Sequence, residues 1–240
     1  MTRQEESARE GPQKEIPLWI RGLVRLVFVC AFMGIPLFLG AGTLGWQRAW
    51  IFLAVLGLTF LFNLILLLSK NPTLMRERWK RRPDTKPFDK VFGLAYLVAI
   101  VSFFVLAGMD AVRFQWTSMP PELLWVGVAM HLLGMAPVLW SLLTNPHLET
   151  TVRIQSDRDH TVVSDGPYRY VRHPMYVGIN IMIPGWALVL ETWVAMAMAG
   201  VLAVLFVIRT ALEDKTLREE LPGYTEYCEK TRFRLIPGIW

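Results

Sequence analysis

The sequence predicts an all-α protein: a polytopic membrane bundle of about six spans, including a short C-terminal hairpin, followed by a helical segment outside the membrane. Three observations predict it. The chain is 53% hydrophobic, with ten Trp among 240 residues, and its mean hydropathy is +0.36, a balance foreign to soluble domains of this length. The apolar residues lie in long uncharged blocks. The basic residues fall almost entirely on alternate connections between those blocks.

Taken in order, the blocks are Leu26–Gln47 (22 residues), Ala49–Ser69 (21), Val91–Met109 (19), Leu123–Leu143 (21), Pro174–Leu190 (17) and Thr192–Ile208 (17). About 20 apolar residues cross ~30 Å of hydrocarbon as a helix. Four blocks meet that length. The last two are short, and Glu191 alone separates them, so they read as a tight hairpin spanning 174–208. Lipid offers no partners to the backbone, so each block must be a helix. Beyond the hairpin, Arg209–Leu221 has no breaker and continues the last span until Pro222-Gly223 stops it. Tyr224–Arg232 allows one more short helix before Pro237. Met1–Glu15 is polar and acidic, without the apolar core of a signal peptide, and Met1–Lys14 reads as a tail.

The charges set the orientation. Of 25 Lys and Arg, 23 fall in the segment up to Arg25, in Ser69–Lys90, in Thr144–His173 and in Arg209–Trp240; Arg48 and Arg113 alone fall on the other side. The positive-inside rule then puts both termini in the cytoplasm. The net charge of +5 is a topological signal and gives no reason to invoke nucleic acid. Ser69–Lys90 can also touch anionic lipid headgroups. The expected organisation is a cytoplasmic tail (1–22), four N-terminal spans (23–143) and a C-terminal core (144–240) that combines a loop, the hairpin and cytoplasmic helices. The two substantial polar regions, Thr144–His173 and Arg209–Trp240, flank the hairpin, which brings them together at the cytoplasmic membrane surface.

Several motifs carry no chemistry in this setting. Residues 40–45, GAGTLG, match a dinucleotide fingerprint but lack the strand and helix it needs; small residues there allow close helix packing. His131 lies inside a span, where a neutral histidine bonded to a neighbouring helix is the expected state. Asp110 and Glu122 flank an outer loop and are assigned to solvent. The four histidines and two cysteines show no metal spacing, and Cys30 and Cys228 read as free thiols. No G-x-S-x-G is present.

Residues 166–178, GPYRYVRHPMYVG, differ from these. Asp165-Gly166-Pro167 is a turn signal, and Pro174 pre-sets the first turn of a helix. His173, held extended by the following proline, stands at that helix's mouth. The first-turn amides can receive an anion, and Tyr168, Tyr170 and Tyr176 offer faces to a flat base or a cation. Tyr and Arg also anchor helix ends at membrane interfaces, so the residues alone leave a ligand site and an interfacial belt equally open. Arg209 and Glu213, four apart, share one helix face. They form an ion pair in the weaker orientation or serve other partners, with Arg209 at headgroup depth.

HTVVSDGPYRYVRHPMYVG (160–178) and R-x3-E-D-x2-L…Y-x2-Y…R-x-I-P (209–237) together resemble the isoprenylcysteine carboxyl methyltransferases and their bacterial and archaeal relatives, over about His147–Pro237. The resemblance implies an integral-membrane enzyme that uses S-adenosylmethionine. It implies cofactor contacts from His160, Thr161, Val162 and Val163, from Tyr168, from the His-Pro-x-Tyr segment His173, Pro174, Met175 and Tyr176, and from Glu213. Arg153 stands where the family often has Gln, with Gln155 nearby. Arg209 matches the arginine that holds the substrate carboxylate, and Asp214 replaces the second glutamate of the family's acidic pair. Arg209 and Glu213 are thus the expected catalytic residues.

The expected function is methyl transfer from S-adenosylmethionine to a lipophilic acceptor, foremost the carboxylate of a prenylated cysteine or thiol, or another lipid acid. Such a reaction requires no metal. It requires in-line positioning, worth ~7–11 kcal/mol, and exclusion of water. Three alternatives stand beside it. A phospholipid N-methyltransferase would give Arg209 no carboxylate to hold. An NADPH-dependent sterol-type reductase usually carries Asn where this chain has Met175. A transporter would require paired charges or repeats within the spans.

Overall fold

The computed structural model describes residues 16–80 and 82–240, and among these it is helical throughout, with no strand. Most of the expected tail lies outside the described residues. The long helices are α1 (Leu18–Ala41), α2 (Gln47–Lys70), α4 (Pro87–Gly108), α5 (Leu123–Thr144) and α7 (Trp193–Glu220); α3 (Pro72–Arg78), α6 (Pro174–Val189) and α8 (Tyr224–Lys230) are shorter. A π-helical segment, Met109–Phe114, extends α4. Five helices are long and apolar enough to cross a membrane, and α6, with 16 residues, is shorter. Val27, Phe28, Leu58, Phe62, Ile65, Val91, Leu94, Trp125 and Leu133 are each more than half exposed. So broad an apolar surface belongs in a bilayer: the chain is an integral, multi-pass membrane protein.

Helix boundaries follow local chemistry more closely than charge. The first helix starts at Leu18 instead of Leu26, because Arg21 and Arg25 can extend their charges out of the apolar zone without ending the helix. It stops where Gly42 takes the left-handed conformation (φ 72°) and donates its N–H to the Phe38 carbonyl. The basic loop 69–90 contains a helix the apolar pattern did not show. Asn71 caps it by accepting from Leu74 N–H at 3.2 Å, and Pro72 starts it.

The bundle is held by glycines and aromatic rings. α5 and α6 run antiparallel along a glycine seam: a Cβ on Gly134 would lie 2.6 Å from the Gly178 carbonyl oxygen, and one on Gly127 2.5 Å from that of Gly185. At the centre Phe52, Phe104 and Trp186 pack together, with Phe52 5.6 Å from Phe104 and 5.8 Å from Trp186 between centroids. Trp186 Nε1 donates to His131 Nδ1 at 2.9 Å. His131 Nε2 therefore carries the proton and meets Thr59 Oγ1 at 3.0 Å. This histidine joins α2, α5 and α6 and fills a structural role.

Asp110 corrects the sequence reading that left it to solvent. It is completely buried. Its carboxylate accepts from Thr117 N–H and Oγ1 at 2.8 and 2.6 Å and from Thr192 Oγ1, tying the outer loop to the start of α7. A carboxylate in this position must be satisfied, and the donors come from residues 7 and 82 positions away, beyond the reach of pattern reading. Asp110→Ala leaves four donors without an acceptor, the Val194 N–H included. It should cost about 2–4 kcal/mol, seen as a lower unfolding midpoint in detergent, while ligand binding at the opposite end is retained.

Candidate active site

At the end of the bundle away from Asp110, the 166–178 stretch turns into α6. Gly166 adopts φ 58° and opens a 3₁₀ turn over Gly166–Arg169. His173 has φ −126° and ψ 62°, and Pro174 begins the helix. The first-turn amides are less available than the sequence suggests. Those of Tyr176 and Val177 both bond to the His173 carbonyl, at 3.1 and 3.3 Å. Aromatic faces and a carboxylate dominate the site instead. Tyr176 stacks on His173 (4° between planes, 5.8 Å between centroids) and donates its hydroxyl to Glu213 Oε2 at 2.6 Å. His173 stands between two carboxylates, with Nδ1 4.0 Å from Glu213 Oε1 and Nε2 3.5 Å from Asp214 Oδ1.

The adjacent acids of α7 face different surroundings. Glu213 lines the cleft. Asp214 is fully buried and receives Arg172 Nε (2.7 Å) and Nη2 (3.1 Å), Arg234 Nε (2.9 Å) and the Tyr224 hydroxyl (3.1 Å). Arg172 also donates to the carbonyls of Thr231 and Arg232, at 2.8 and 2.7 Å. The backbone amides of Arg172 and His173 bond to the carbonyls of Phe233 and Arg234. Asp214 thus anchors the C-terminal segment against the His-Pro junction.

Ten of the twelve expected site residues line one cleft of about 530 Å³: His160 to Val163, Tyr168, His173 to Tyr176, and Glu213. Asn145, Leu148, Leu217, Tyr224 and Tyr227 complete its wall. The last two were visible as the Y-x2-Y spacing, which puts both rings on one face of α8 at 5.5 Å. Asn145 carried no signal in the sequence; it donates to the Tyr168 hydroxyl at 3.1 Å. Burial pushes the Tyr168 phenol up, so it stays neutral.

Arg209 and Arg153 lie in an adjoining cleft of about 490 Å³ that shares Tyr176, Glu213, His160 and Leu148 with the first. The Arg209–Glu213 intrahelical pair does not form. Arg209 instead donates through Nε to Asp89 Oδ1 at 2.8 Å and through Nη2 to the Thr150 carbonyl at 3.0 Å, over the rings of Phe92 and Tyr176. Arg153 is fully engaged with Glu149, Asp84 and Asp157, at 2.7–3.3 Å. The three carboxylates hold it firmly charged and raise its pKa. It braces the 145–165 loop.

His160 packs against His147 in that loop, with the rings tilted at 40° and 4.7 Å between centroids. Burial first, then the neighbouring His147 and Arg153, push His160 down from 6.5 to about 4. In the unfolded chain it protonates near 6.5, so between about 6.5 and about 4 the unfolded state binds more protons. Stability complete above pH 6.5 is lost as pH falls toward 4. The loss from this residue should be about 1–2 kcal/mol, discounted for its partial exposure. Melting His160→Gln and the native protein from pH 7 to 5 checks this: the variant should show a flatter profile.

The arrangement defines an integral-membrane helical protein whose polar cleft of aromatic rings and one carboxylate sits at the end of a short hairpin. The same bundle is found in the solved structure of the eukaryotic intramembrane Ras methyltransferase ICMT, an isoprenylcysteine carboxyl methyltransferase: the TM-score is 0.52 at 19% identity, over 92% of this chain and 84% of that one. Residues 123–222, from α5 to just past α7, match the phospholipid methyltransferase family. That segment is similar to the phospholipid methyltransferase family, and the chain shares the fold of the isoprenylcysteine carboxyl methyltransferase structure.

Two curated relatives have other names. The cobalt-zinc-cadmium resistance protein CzcN of Cupriavidus metallidurans is 33% identical over 138 residues, covering 55% of this chain and 58% of that protein. The nickel-cobalt-cadmium resistance protein NccN of Alcaligenes xylosoxydans xylosoxydans is 29% identical over 113 residues, 45% of this chain and 50% of that protein. The chain spans little more than half the length of these relatives. Among the described residues no group of three or more His, Cys, Asp and Glu is placed to hold a metal ion.

Proposed function

We propose that the protein is a membrane methyltransferase that takes its methyl group from S-adenosylmethionine and delivers it to the carboxylate of a lipophilic acceptor of the isoprenylcysteine kind. The observation that carries this is the meeting of Tyr176, His173 and Glu213 in one cleft. Two stacked rings and a half-buried carboxylate suit a ligand that is both flat and cationic. Glu213 supplies the negative charge, and Tyr176 fixes its orientation through the 2.6 Å hydrogen bond. Tyr168, Tyr224 and Tyr227 provide further aromatic surface for an adenine.

When bound, S-adenosylmethionine supplies a sulfonium methyl, so that a C–O bond to the acceptor carboxylate forms as the C–S bond breaks and the electron pair remains on sulfur. The chain's residues hold the two reactants in line and keep water out. Arg209, fixed by Asp89 against the Tyr176 ring, lines the adjoining cleft beside the shared Tyr176 and Glu213 and is proposed to face the acceptor carboxylate. The distribution of basic residues orients the cleft, and both termini, toward the cytoplasm.

The family also suggests an amine acceptor on a phospholipid. The cations beside the cleft, Arg209 and Arg78, disfavour an amine and support an acid. Incubating the purified protein with labelled S-adenosylmethionine and either an S-prenylated N-acetylcysteine or phosphatidylethanolamine separates the readings. Label should enter the acid as a base-labile ester. Label found only in the amine would refute the carboxylate assignment.

A further inference from the structure

A large apolar groove ends beside the cleft. It is an open groove of about 1350 Å³ between α1, α2 and α5, with Phe28, Phe60, Leu64, Met135 and Val138 on its walls. Its volume suits a long hydrocarbon tail. The site-side end is different, being lined by Arg25, Arg78, Trp79 and Thr150. Arg25 lies over the Trp79 ring, 4.7 Å from its centroid.

Arg78 differs from the other half-buried or buried arginines of this end. Arg82, Arg153, Arg172 and Arg209 each bond to at least one carboxylate. Arg78 has no carboxylate within 4.0 Å among the described residues; its one hydrogen bond runs from Nη1 to the Leu148 carbonyl at 2.6 Å. Leu148 itself lines both clefts. Arg78 therefore lines the groove while bonding to a residue of the cleft wall. Its position is fixed by packing: Leu74, one helical turn earlier, is buried with Met75 against Leu64, Leu67 and Leu142. Burial pushes the guanidinium down to about 10, which leaves it charged at neutral pH, and Tyr176 and Arg209 lie within its field. A desolvated cation held this way is short of a counter-ion.

We infer that Arg78 receives the acidic head of the methyl acceptor, an amphiphile with one anionic group and one apolar tail, while the tail lies in the groove between α1, α2 and α5. This rests on the methyl-transfer reading and names the residue that selects the acceptor. A guanidinium can bind a carboxylate through two parallel N–H donors. With Arg78 on the tail side and Arg209 on the cofactor side, the carboxylate is held at the mouth of the cleft.

The test measures binding and turnover separately. Full-length protein in nanodiscs is titrated with labelled S-farnesylthioacetate and with its neutral amide. The native protein should prefer the acid. Arg78→Gln, which can still donate to Leu148, should bind the acid about tenfold to a hundredfold more weakly and lose the preference. Its affinity for the amide and for S-adenosylmethionine should change by less than about twofold. Turnover should show the loss in KM, with Arg78→Lys intermediate. Val29→Trp, which narrows the groove and leaves Arg78 intact, should weaken acid and amide together.

A native protein that binds acid and amide equally, or an Arg78→Gln variant that keeps the preference, overturns the inference. Acid preference that depends on Arg78, without any methyl product, would uphold the anchor and refute the proposed reaction. Methyl transfer with KM unchanged in Arg78→Gln would do the reverse.

Discussion

Asp214→Ala should unfold the cytoplasmic end of the protein. Asp214 is fully buried and bonds to Arg172, Arg234 and Tyr224, with Arg218 3.3 Å away. Removing it leaves Arg172, itself buried, as an uncompensated cation among backbone carbonyls. Breaking a buried pair in this way costs about 3–5 kcal/mol, a large part of the stability of most domains. Asp214→Asn keeps the shape and loses the charge, so it should fall between the two. The measurement is hydrogen exchange over residues 166–176 and 224–240, together with the thermal midpoint in detergent. Native-like protection of both segments in Asp214→Ala would show that the ion cluster does not hold the junction.

The second large effect concerns ligand binding. Tyr176→Ala removes the ring that stacks on His173 and the hydroxyl that orients Glu213. It should weaken S-adenosylmethionine binding by at least about a hundredfold, and His173→Ala should do the same. Tyr176→Phe keeps the ring and loses the hydrogen bond, with an expected loss of about tenfold. Calorimetry on folded protein reads these values directly. Arg209→Ala should leave cofactor affinity nearly unchanged and reduce turnover. NADPH serves as the control: tight binding of NADPH in place of S-adenosylmethionine would favour a reductase. Unchanged S-adenosylmethionine binding in both alanine variants would remove Tyr176 and His173 from the cofactor site.

The membrane helices were legible in the sequence because lipid imposes one rule on every residue of a span. The fifth and sixth blocks matched α6 and the apolar part of α7 almost to the residue, since Pro174 and Thr192 are start signals. The first block was misplaced because Arg21 and Arg25 looked like a boundary and are accommodated within a helix. The small helix α3 was hidden because its apolar face is only Leu74 and Met75. Within the site, the turn, the proline and the aromatic spacing were local and therefore readable. The partners of Arg209 and Arg172 were not. Asp89 is 120 residues from Arg209, and Asp214 is 42 from Arg172. Helix spacing told which residues share a face, but not which other helix that face meets. Asp110 was misread for the same reason.

The two walls of the cleft are built differently. On one side the His-Pro junction, α7 and the C-terminal segment are riveted through Asp214. On the other, residues 145–165 contain only one short 3₁₀ turn, Ser156–Arg158, and are strapped to neighbouring loops partly by ion pairs in which a largely buried arginine meets a half-exposed carboxylate, Arg153–Asp84 and Arg82–Asp157. A doorway with one fixed jamb opens from the other. Exchange of a cytosolic ligand therefore depends on that strap, and raising the ionic strength, which loosens half-exposed ion pairs before buried ones, should quicken its traffic in both directions.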